Sequence, residues 1–219
     1  MLIGGIDEAG RGPCFGPMTI TLAVANKEEE TELKAIGVKD SKLVLPNKRK
    51  SLIEGIKNHI LEENTRIIMP LELNDMMVIH SLNEIEAIHI GQLINDAKQI
   101  PEIIYVDSPD AKKGAFEKRI RKYLNKDRQQ IKIIAENKAD TNYTIVGAAS
   151  IIAKVTRDEQ IEKLAEKYGE IGSGYPSDPK TVKYLKDYVA EHKKIPPFAR
   201  LFWANVQNEL KNIGQQKLI

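Results

Sequence analysis

The chain opens on Leu2-Ile-Gly-Gly-Ile-Asp-Glu-Ala-Gly-Arg-Gly-Pro13, in which an apolar run, two adjacent acids and a glycine-rich turn follow one another. The apolar run 2–6 stops at Asp7-Glu8, which is typical of a strand that ends at the rim of a sheet. After the turn, residues 18–25 alternate apolar side chains with threonine, as a second strand does. The sequence therefore begins with two predicted strands joined by a turn.

Further strands and helices follow in alternation. Apolar β-rich runs predict strands at 66–69, at 103–106, which should be buried on both faces, and at 131–135. Helical patterns lie at 46–60, at 81–98 with Ser81 as N-cap, at 114–124 and over Thr144–Tyr168. This order predicts an α/β fold, or an α+β one, with helices packed against a sheet.

The C-terminal part is set off by residues 169–179, which are rich in glycine, serine and proline. Two short predicted helices follow, at 181–192 and 200–213. We therefore predict a main domain at 1–170 and a small helical C-terminal extension at 171–219.

Composition narrows the class of protein. The chain has 219 residues, of which 42% are hydrophobic and 29% charged, and this suits a globular protein with its own core. The single cysteine, Cys14, excludes a disulfide within the chain and is usual in a reducing compartment. Residues 1–6 are too short for a signal segment, and no apolar run approaches the roughly 20 residues of a spanning helix. We expect an intracellular, cytoplasmic protein.

The net charge of +2 is small but unevenly distributed. Basic residues outnumber acids between Lys112 and Lys138, and again between Lys180 and Arg200. Such clusters occur where proteins bind phosphates. A solvated helix face gives the same pattern and is the favoured interpretation when charge alone is considered.

Acids stand where three predicted strands end. Asp7 and Glu8 follow the first strand, Asp107 follows the fourth, and Asp140 comes shortly after the fifth. Strands that end at one rim can bring such acids together, and clustered carboxylates raise each other's pKa unless a cation compensates them. Hard divalent cations with oxygen ligands fit this role, and two such ions can promote phosphodiester cleavage.

Each acid could instead be a solvated loop residue, and for Asp107 taken alone that interpretation is favoured. It is less favoured for Asp7 and Glu8, because the apolar strand and the Gly10-Arg11-Gly12 turn hold both near the interior. The sequence offers no competing metal or nucleotide motif. The four histidines are scattered, Cys14 has no partner cysteine for zinc, and phosphate-binding loops and serine-nucleophile elbows are absent.

Six ordered blocks of the sequence closely resemble ribonuclease HII. They are Gly5-Ile-Asp-Glu-Ala-Gly-Arg-Gly-Pro13, Asp40-Ser41-Lys42, Tyr105-Val-Asp107-Ser108, Lys138-Ala-Asp140, Ala148-Ala-Ser-Ile-Ile-Ala-Lys-Val-Thr-Arg-Asp158 and Gly172-Ser-Gly-Tyr-Pro-Ser-Asp-Pro-Lys-Thr181. The last block resembles the archaeal and eukaryotic form of the family's tyrosine motif. Six blocks in order, over residues 5–181, are far more specific than any single motif.

The resemblance implies a ribonuclease-H-like mixed β-sheet flanked by helices, with a helical C-terminal part. It also implies that Asp7, Glu8, Asp107 and Asp140 are the catalytic acids and that they bind Mg²⁺ or Mn²⁺. The implied reaction is two-metal-ion hydrolysis of the RNA strand of RNA–DNA hybrids, and incision of DNA duplexes at embedded ribonucleotides. Its products carry 5′-phosphate and 3′-hydroxyl ends, as DNA replication and repair require.

The resemblance also implies substrate-binding residues. In Gly10-Arg11-Gly12, the glycines let the backbone approach the sugar, whose 2′-hydroxyl distinguishes RNA from DNA, and Arg11 can fork onto a phosphate. Tyr175 would stack on the deoxyribose after the ribonucleotide, with a half-buried turn aromatic as the alternative. Lys42 and Lys154 are assigned to phosphate contact, although a plain helix-surface role fits Lys154 nearly as well.

Two features near the C-terminus depart from the family pattern. Arg200-Leu-Phe-Trp203 stands where the archaeal branch often has Arg-x-Ser-Trp, and we expect Trp203 to pack the last helix without a catalytic role. The tail Gln215-Gln-Lys-Leu-Ile219 is similar to the sliding-clamp-binding tail of some relatives but lacks their aromatic pair, which disfavours a clamp partner. We expect a monomer that binds RNA–DNA hybrid and ribonucleotide-containing duplex DNA, and no membrane.

Two other functions stay open. Another nuclease of the same fold, such as a junction resolvase or ribonuclease HIII, also uses acids and a metal. The Gly-Arg-Gly turn and the tyrosine motif favour ribonuclease HII, and we expect no room before Asp7 for the extra N-terminal domain of ribonuclease HIII. A catalytically dead nucleic-acid-binding subunit is disfavoured because all four acids are present.

Overall fold

The computed structural model describes residues 1–38 and 46–216. The Asp40-Ser41-Lys42 block, with the predicted phosphate contact Lys42, lies outside the described residues, and so does the end of the 215–219 tail. The described strands are β1 (Leu2–Ala9), β2 (Met18–Asn26), β3 (Glu62–Ile68), β4 (Ile103–Asp107) and β5 (Lys132–Glu136). The described helices are α1 (Glu30–Ala35), α2 (Pro46–His59), α3 (Pro70–Met76), α4 (Leu82–Asp96), α5 (Ala115–Arg121), α6 (Ala139–Asn142), α7 (Thr144–Tyr168), α8 (Pro179–His192) and α9 (Ala204–Gln216). None of these helices is both long enough and apolar enough to cross a membrane.

The strands form one mixed sheet in the order β3-β2-β1-β4-β5. Strand β1 runs antiparallel to β2 and parallel to β4, and β4 runs parallel to β5. The predicted sheet with helices packed against it is therefore confirmed. Because Ile6 of β1 pairs with Val106 of β4, the next residues along each strand, Asp7 and Asp107, emerge at the same end of the sheet.

Two strand boundaries differ from the predicted ones. Strand β1 continues through Ala9, so Asp7 and Glu8 lie inside it, because the ladder with β2 extends as far as the pair Ala9↔Thr19. Strand β3 begins at Glu62 instead of residue 66, because a terminal strand tolerates the half-buried polar residues that hide it from an apolar pattern. The sequence does not predict α1, α3 and α6, because helices this short carry too few turns for a periodic pattern.

The chain divides into two compact units, of which the first contains the sheet and comprises Met1–Ala9, Thr19–Arg66 and Ser81–Thr156. In its core, Ile3 of β1 and Tyr105 of β4 belong to the same apolar cluster as Ile145 of α7. Helix α7 approaches β1 so closely at Gly5 that a Cβ there would lie 2.4 Å from the Ile145 carbonyl group. Any larger residue would push α7 away from the strand that carries Asp7.

The second unit comprises Gly10–Met18, Ile67–His80 and Arg157–Ile219. In its core, the Phe15 ring meets Phe198 and Tyr184 edge to face, with centroids 5.2 and 6.1 Å apart. Phe15 also forms an isolated β-bridge with Ala199. The C-terminal helices therefore share an apolar core with the turn that follows β1. The predicted division into 1–170 and 171–219 stays a prediction.

Candidate active site

Three carboxylates meet at the end of the sheet where β1 and β4 finish. One oxygen from each of Asp7, Glu8 and Asp107 lies within 4.8 Å of the other two. Two of these acids are neighbours in β1, and the third is the last residue of β4. The parallel pairing of the two strands brings together acids that are far apart in the sequence.

Asp7 is the most deeply buried of the three, with 6% of its surface exposed. Burial raises the pKa of Asp7 well above its ordinary value, and the negative charges of Glu8 and Asp107 raise it further. The Ser150 hydroxyl and the Glu8 amide, which lies 2.7 Å from Asp7 Oδ1, donate hydrogen bonds that oppose this rise in pKa. A buried carboxylate beside two others is costly unless a cation compensates it.

The donor set of this cluster fits a hard divalent cation. All three side chains offer carboxylate oxygens, the ligands that Mg²⁺ and Mn²⁺ prefer. Within the described residues, the cluster contains neither histidine nor cysteine. Cys14 is buried and lies in the second unit, where its Sγ is 3.0 Å from the amide nitrogen of Asn205.

Asp140 is buried but is not among the described acids that meet within 4.8 Å. It lies in α6 directly after Ala139, whose amide donates a 2.8 Å hydrogen bond to Asp107 Oδ1. The chain turns into α6 through Lys138, which has a left-handed φ of 61°. The Asp107 carboxylate thus ties the segment that carries Asp140 to the end of β4. The role of Asp140 as a fourth metal ligand stays a prediction.

Lys154 contacts Ser150, a residue that binds the acid cluster. Its Nζ donates a 2.8 Å hydrogen bond to the hydroxyl of Ser150, one turn earlier on α7, and Ser150 in turn bonds Asp7. The phosphate contact predicted for Lys154 stays a prediction. Sequence reasoning gave no role to Ser150, which is fully buried. Its place in the small-residue run Ala148-Ala-Ser150, which lets a helix pack closely, is the signal that marks it.

The Gly10-Arg11-Gly12 turn belongs to the second unit. Gly10 has a φ of +86°, and a Cβ there would lie 2.6 Å from Cδ of Arg157, so both the backbone conformation and the packing require glycine. Gly12 is exposed, and a Cβ on it would lie 3.7 Å from Cε1 of Tyr175. The turn and Tyr175, two separate sequence predictions, are therefore neighbours in this unit.

Tyr175 has 42% of its surface exposed and lies on a loop that hydrogen bonds hold in place. The carbonyl of the preceding residue, Gly174, accepts a 2.8 Å hydrogen bond from the Cys14 amide. The Gly174 amide donates to the Thr181 hydroxyl at 2.9 Å. The guanidinium carbon of Arg157 lies 5.2 Å from the centroid of the Tyr175 ring. An exposed aromatic ring on a loop whose backbone is held by hydrogen bonds is suited to stacking on a nucleotide base or sugar.

Two arginines of the second unit are buried, which the sequence did not predict. Arg157 and Arg200 have 4% and 0% of their surfaces exposed. Burial lowers the pKa of Arg157, and burial together with the charge of Arg157 lowers the pKa of Arg200 to about 9. Because a guanidinium group stays protonated in proteins, this unit buries two positive charges. Charge counts along the sequence hide them, because they stand among many exposed basic residues.

Comparison with known proteins gives the family. The sequence profile of ribonuclease HII matches residues 4–206. The chain belongs to the ribonuclease HII family. The ribonuclease HII of Pyrococcus furiosus is 42% identical to it over 217 residues, which cover 99% of this chain and 95% of that protein. Ribonucleases HII are metal-dependent hydrolases of phosphodiester bonds, so the chain is an enzyme of the ribonuclease H type.

Solved structures of ribonucleases HII share the fold. The crystal structure of the ribonuclease H2 from Pyrococcus horikoshii OT3 matches with a TM-score of 0.91 and 40% identity, covering 98% of this chain and 100% of that one. The PCNA:RNase HII complex from Archaeoglobus fulgidus matches with a TM-score of 0.84 and 37% identity, covering 93% and 95%. The ribonuclease-H-like mixed sheet that the resemblance implied is therefore confirmed.

The raised pKa of Asp7 leads to a prediction about stability. Without divalent metal at neutral pH, Asp7→Asn should unfold at a higher temperature than the unsubstituted ribonuclease HII, by about 2–4 °C for each kcal/mol of relieved cost. Because the folded state holds the Asp7 proton more tightly than the unfolded chain, this carboxyl group costs more stability as the pH rises above about 4. The asparagine amide keeps the shape and removes the charge.

Scanning calorimetry in EDTA, across about pH 4 to 8, measures this difference. The difference should shrink toward low pH, and added Mg²⁺ should narrow it by stabilising the unsubstituted protein. Asp75→Asn, at an exposed position of α3, is the matched control and should not change the melting temperature. Equal melting temperatures for Asp7→Asn and the unsubstituted protein near pH 8 would contradict the prediction that the charged Asp7 carboxylate lowers the stability of the folded state.

Proposed function

We propose that this ribonuclease HII hydrolyses the RNA strand of RNA–DNA hybrids and incises DNA duplexes at embedded ribonucleotides. The observation that carries the proposal is the cluster of the buried Asp7 with the half-buried Glu8 and Asp107 at one end of the sheet. Family membership supports it, and so does the likeness over nearly the whole chain to proteins named as ribonucleases.

We assign the metal site to these three acids, with Asp140 as the fourth ligand. Two Mg²⁺ or Mn²⁺ ions, when bound, supply activation of water and stabilisation of the leaving oxygen, which gives 5′-phosphate and 3′-hydroxyl ends. The chain itself prepares the site. The Glu8 amide and the Ser150 hydroxyl fix Asp7, and the Ala139 amide fixes Asp107.

We assign substrate selection to the turn Gly10-Arg11-Gly12 and to Tyr175. The exposed Gly12 lets the backbone approach a sugar, and a 2′-hydroxyl group can both donate to it and accept from it. The Tyr175 ring then stacks on the deoxyribose that follows the ribonucleotide. Their closeness, with 3.7 Å between a Cβ on Gly12 and the Tyr175 ring, suits two successive sugars of one strand.

The basic stretch 112–138 contains two kinds of side chain. Its arginines are half-buried and form ion pairs within the fold, namely Arg119–Glu84, Arg121–Glu117 and Arg128–Asp127. Lys112, Lys113 and Lys118 are exposed. We therefore assign phosphate contacts to these three lysines and a structural role to the arginines.

Affinity for hybrid should fall as salt rises, with a log–log slope set by the number of phosphate contacts. Replacing Lys112, Lys113 and Lys118 together by glutamine should reduce the slope by up to about 0.9 per lost contact. The matched comparison replaces Lys180 and Lys183 of α8. We expect a smaller change per residue there, because these lysines already form ion pairs with Glu170 and Asp187.

Fluorescence anisotropy of a labelled hybrid, without divalent metal and over a range of salt, measures both slopes. An unchanged slope in the triple variant would mean that residues 112–118 form only a solvated surface.

The proposed function has a direct test in a DNA duplex that holds one ribonucleotide, incubated with and without Mg²⁺. Cleavage at the ribonucleotide with Mg²⁺, and none in EDTA, is the expected result. Cleavage of a four-way DNA junction but of neither ribonucleotide substrate would replace the proposal with a resolvase. Calorimetric metal binding without cleavage of any of them would indicate a binding subunit.

A sliding clamp is a candidate partner, because the Archaeoglobus fulgidus relative was solved as a complex with PCNA. Residues 215–219 lack an aromatic pair, and we propose a monomer in which this segment does not recruit a clamp. Gel filtration with and without an archaeal clamp tests this proposal. Co-elution that is lost on removal of residues 215–219 would overturn it.

A further inference from the structure

We infer that Arg200 and Trp203 are positioning residues that fix the Gly10-Arg11-Gly12 turn and thereby its recognition of a ribonucleotide. The inference rests on the proposed function and extends it to two residues outside the six sequence blocks. All of the contacts that support it lie within the second unit.

Arg200 binds the first two residues of the turn and the segment that follows it. Its Nη1 donates hydrogen bonds to the carbonyl of Gly10 at 2.6 Å and to that of Arg11 at 3.4 Å. Its Nε donates to the Gly16 carbonyl at 2.9 Å. Its own amide donates to the Cys14 carbonyl at 2.8 Å. One fully buried residue therefore holds the backbone of four others, three of them through its side chain.

Trp203 completes this arrangement. Its indole Nε1 donates a 3.0 Å hydrogen bond to the carbonyl of Gly12, and its ring centroid lies 4.8 Å from the guanidinium carbon of Arg200. At that distance the ring attracts the cation and orients it. Trp203 also packs against the apolar core of this unit, as expected from the sequence, but the bond to Gly12 was not predicted.

The consequence for the turn follows from peptide geometry. In a planar trans peptide unit, the carbonyl group and the amide of the next residue point in opposite directions. When the carbonyls of Gly10 and Arg11 point to Arg200, the amides of Arg11 and Gly12 must point away from it. The carbonyl of Gly12 is followed by Pro13, which has no amide hydrogen. The turn therefore directs two amide donors to the side opposite the arginine, where an oxygen of a ribose or a phosphate can accept them.

The electrostatics support the same conclusion. Among the described residues, Nη2 of Arg200 and Nε of Arg157 are buried without a hydrogen-bond partner. Burying such charges costs stability, and an apolar side chain would fill the same space more cheaply. Two roles explain this loss of stability. The forked guanidinium group of Arg200 holds several carbonyl groups at once. Both arginines also add positive potential near a turn that contacts phosphates.

The decisive variant is Trp203→Phe, which removes the Nε1 donor and keeps an aromatic ring over Arg200. For each protein we measure the KM for a duplex with a single ribonucleotide. We compare it with the Ki of a competitor duplex that has the same sequence but contains only DNA. We expect the KM to rise about five- to tenfold, the effect of one hydrogen bond, while the Ki and calorimetric Mg²⁺ binding stay unchanged. Phe202→Leu, at the exposed neighbouring position, is the control and should leave both constants within about twofold.

Arg200→Lys keeps the charge but cannot fork to Gly10 and Gly16 together, so it should raise the ratio of KM to Ki further. A folded Trp203→Phe protein with an unchanged ratio of KM to Ki overturns the inference. A loss confined to kcat overturns it too, because a packing defect that lowers the active fraction moves neither constant. Failure of the unsubstituted protein to cut the ribonucleotide duplex would instead overturn the proposed function.

Discussion

Replacing Asp7 by asparagine should lower the rate of hybrid cleavage by about a thousandfold or more, because the loss of a shared metal ligand raises the barrier by several kcal/mol. One carboxylate oxygen of Asp7 lies within 4.8 Å of an oxygen of Glu8 and of one of Asp107, and Asp7 is the most deeply buried of the three. Hybrid affinity should stay within about threefold, since binding depends mainly on phosphate contacts elsewhere. Single-turnover cleavage and anisotropy measure the two effects separately.

Matched substitutions make this result specific. Asp75→Asn removes a carboxylate from an exposed position of α3 and should leave the rate unchanged. Asp107→Asn should behave like Asp7→Asn, and Asp140→Asn tests whether a fourth acid is needed. A rate above about a tenth of the unsubstituted value for Asp7→Asn would contradict the assignment of the metal site.

The acid cluster could be predicted from the sequence because each of its acids follows a short apolar run. A strand of this kind has few possible environments, and its end marks the rim of the sheet. The apolar pattern does not predict which strands pair with one another in the sheet. The pairing of Ile6 with Val106 joins two strands that are far apart in the sequence, and this pairing places Asp7 next to Asp107.

The residues that hold the acids and the turn in place were harder to predict, for a physical reason. Ser150, Arg200 and Trp203 act through hydrogen bonds to residues that are far away in the sequence, and such bonds leave no periodic pattern. The turn after β1 shares a compact unit with the C-terminal helices, although they lie at opposite ends of the chain. A division made along the sequence cannot anticipate this, because it assumes that neighbours in the chain fold together.

Tyr175→Ala should reduce cleavage of a single-ribonucleotide duplex by about ten- to a hundredfold, since a stacking contact contributes roughly 1–3 kcal/mol. A continuous RNA–DNA hybrid has no RNA-to-DNA step in the cleaved strand, so its cleavage should fall less. The structure supports a contact role, because the ring is 42% exposed and lies next to the turn that carries Gly12. Its loop is braced by Thr181 and Cys14, so the backbone should keep its course without the ring.

The two substrates must be measured side by side, because only the ratio of their rates separates recognition from folding. A general loss of folded protein lowers both rates equally, whereas the loss of a stack on deoxyribose lowers the rate at the junction more than the rate on the continuous hybrid. Tyr175→Phe keeps the ring and removes the hydroxyl, and its ratio should stay within about twofold of the unsubstituted value if stacking is the source of selectivity. If Tyr175→Ala leaves the ratio unchanged, the ring only packs beside Arg157, and selection between RNA and DNA must come from the turn alone.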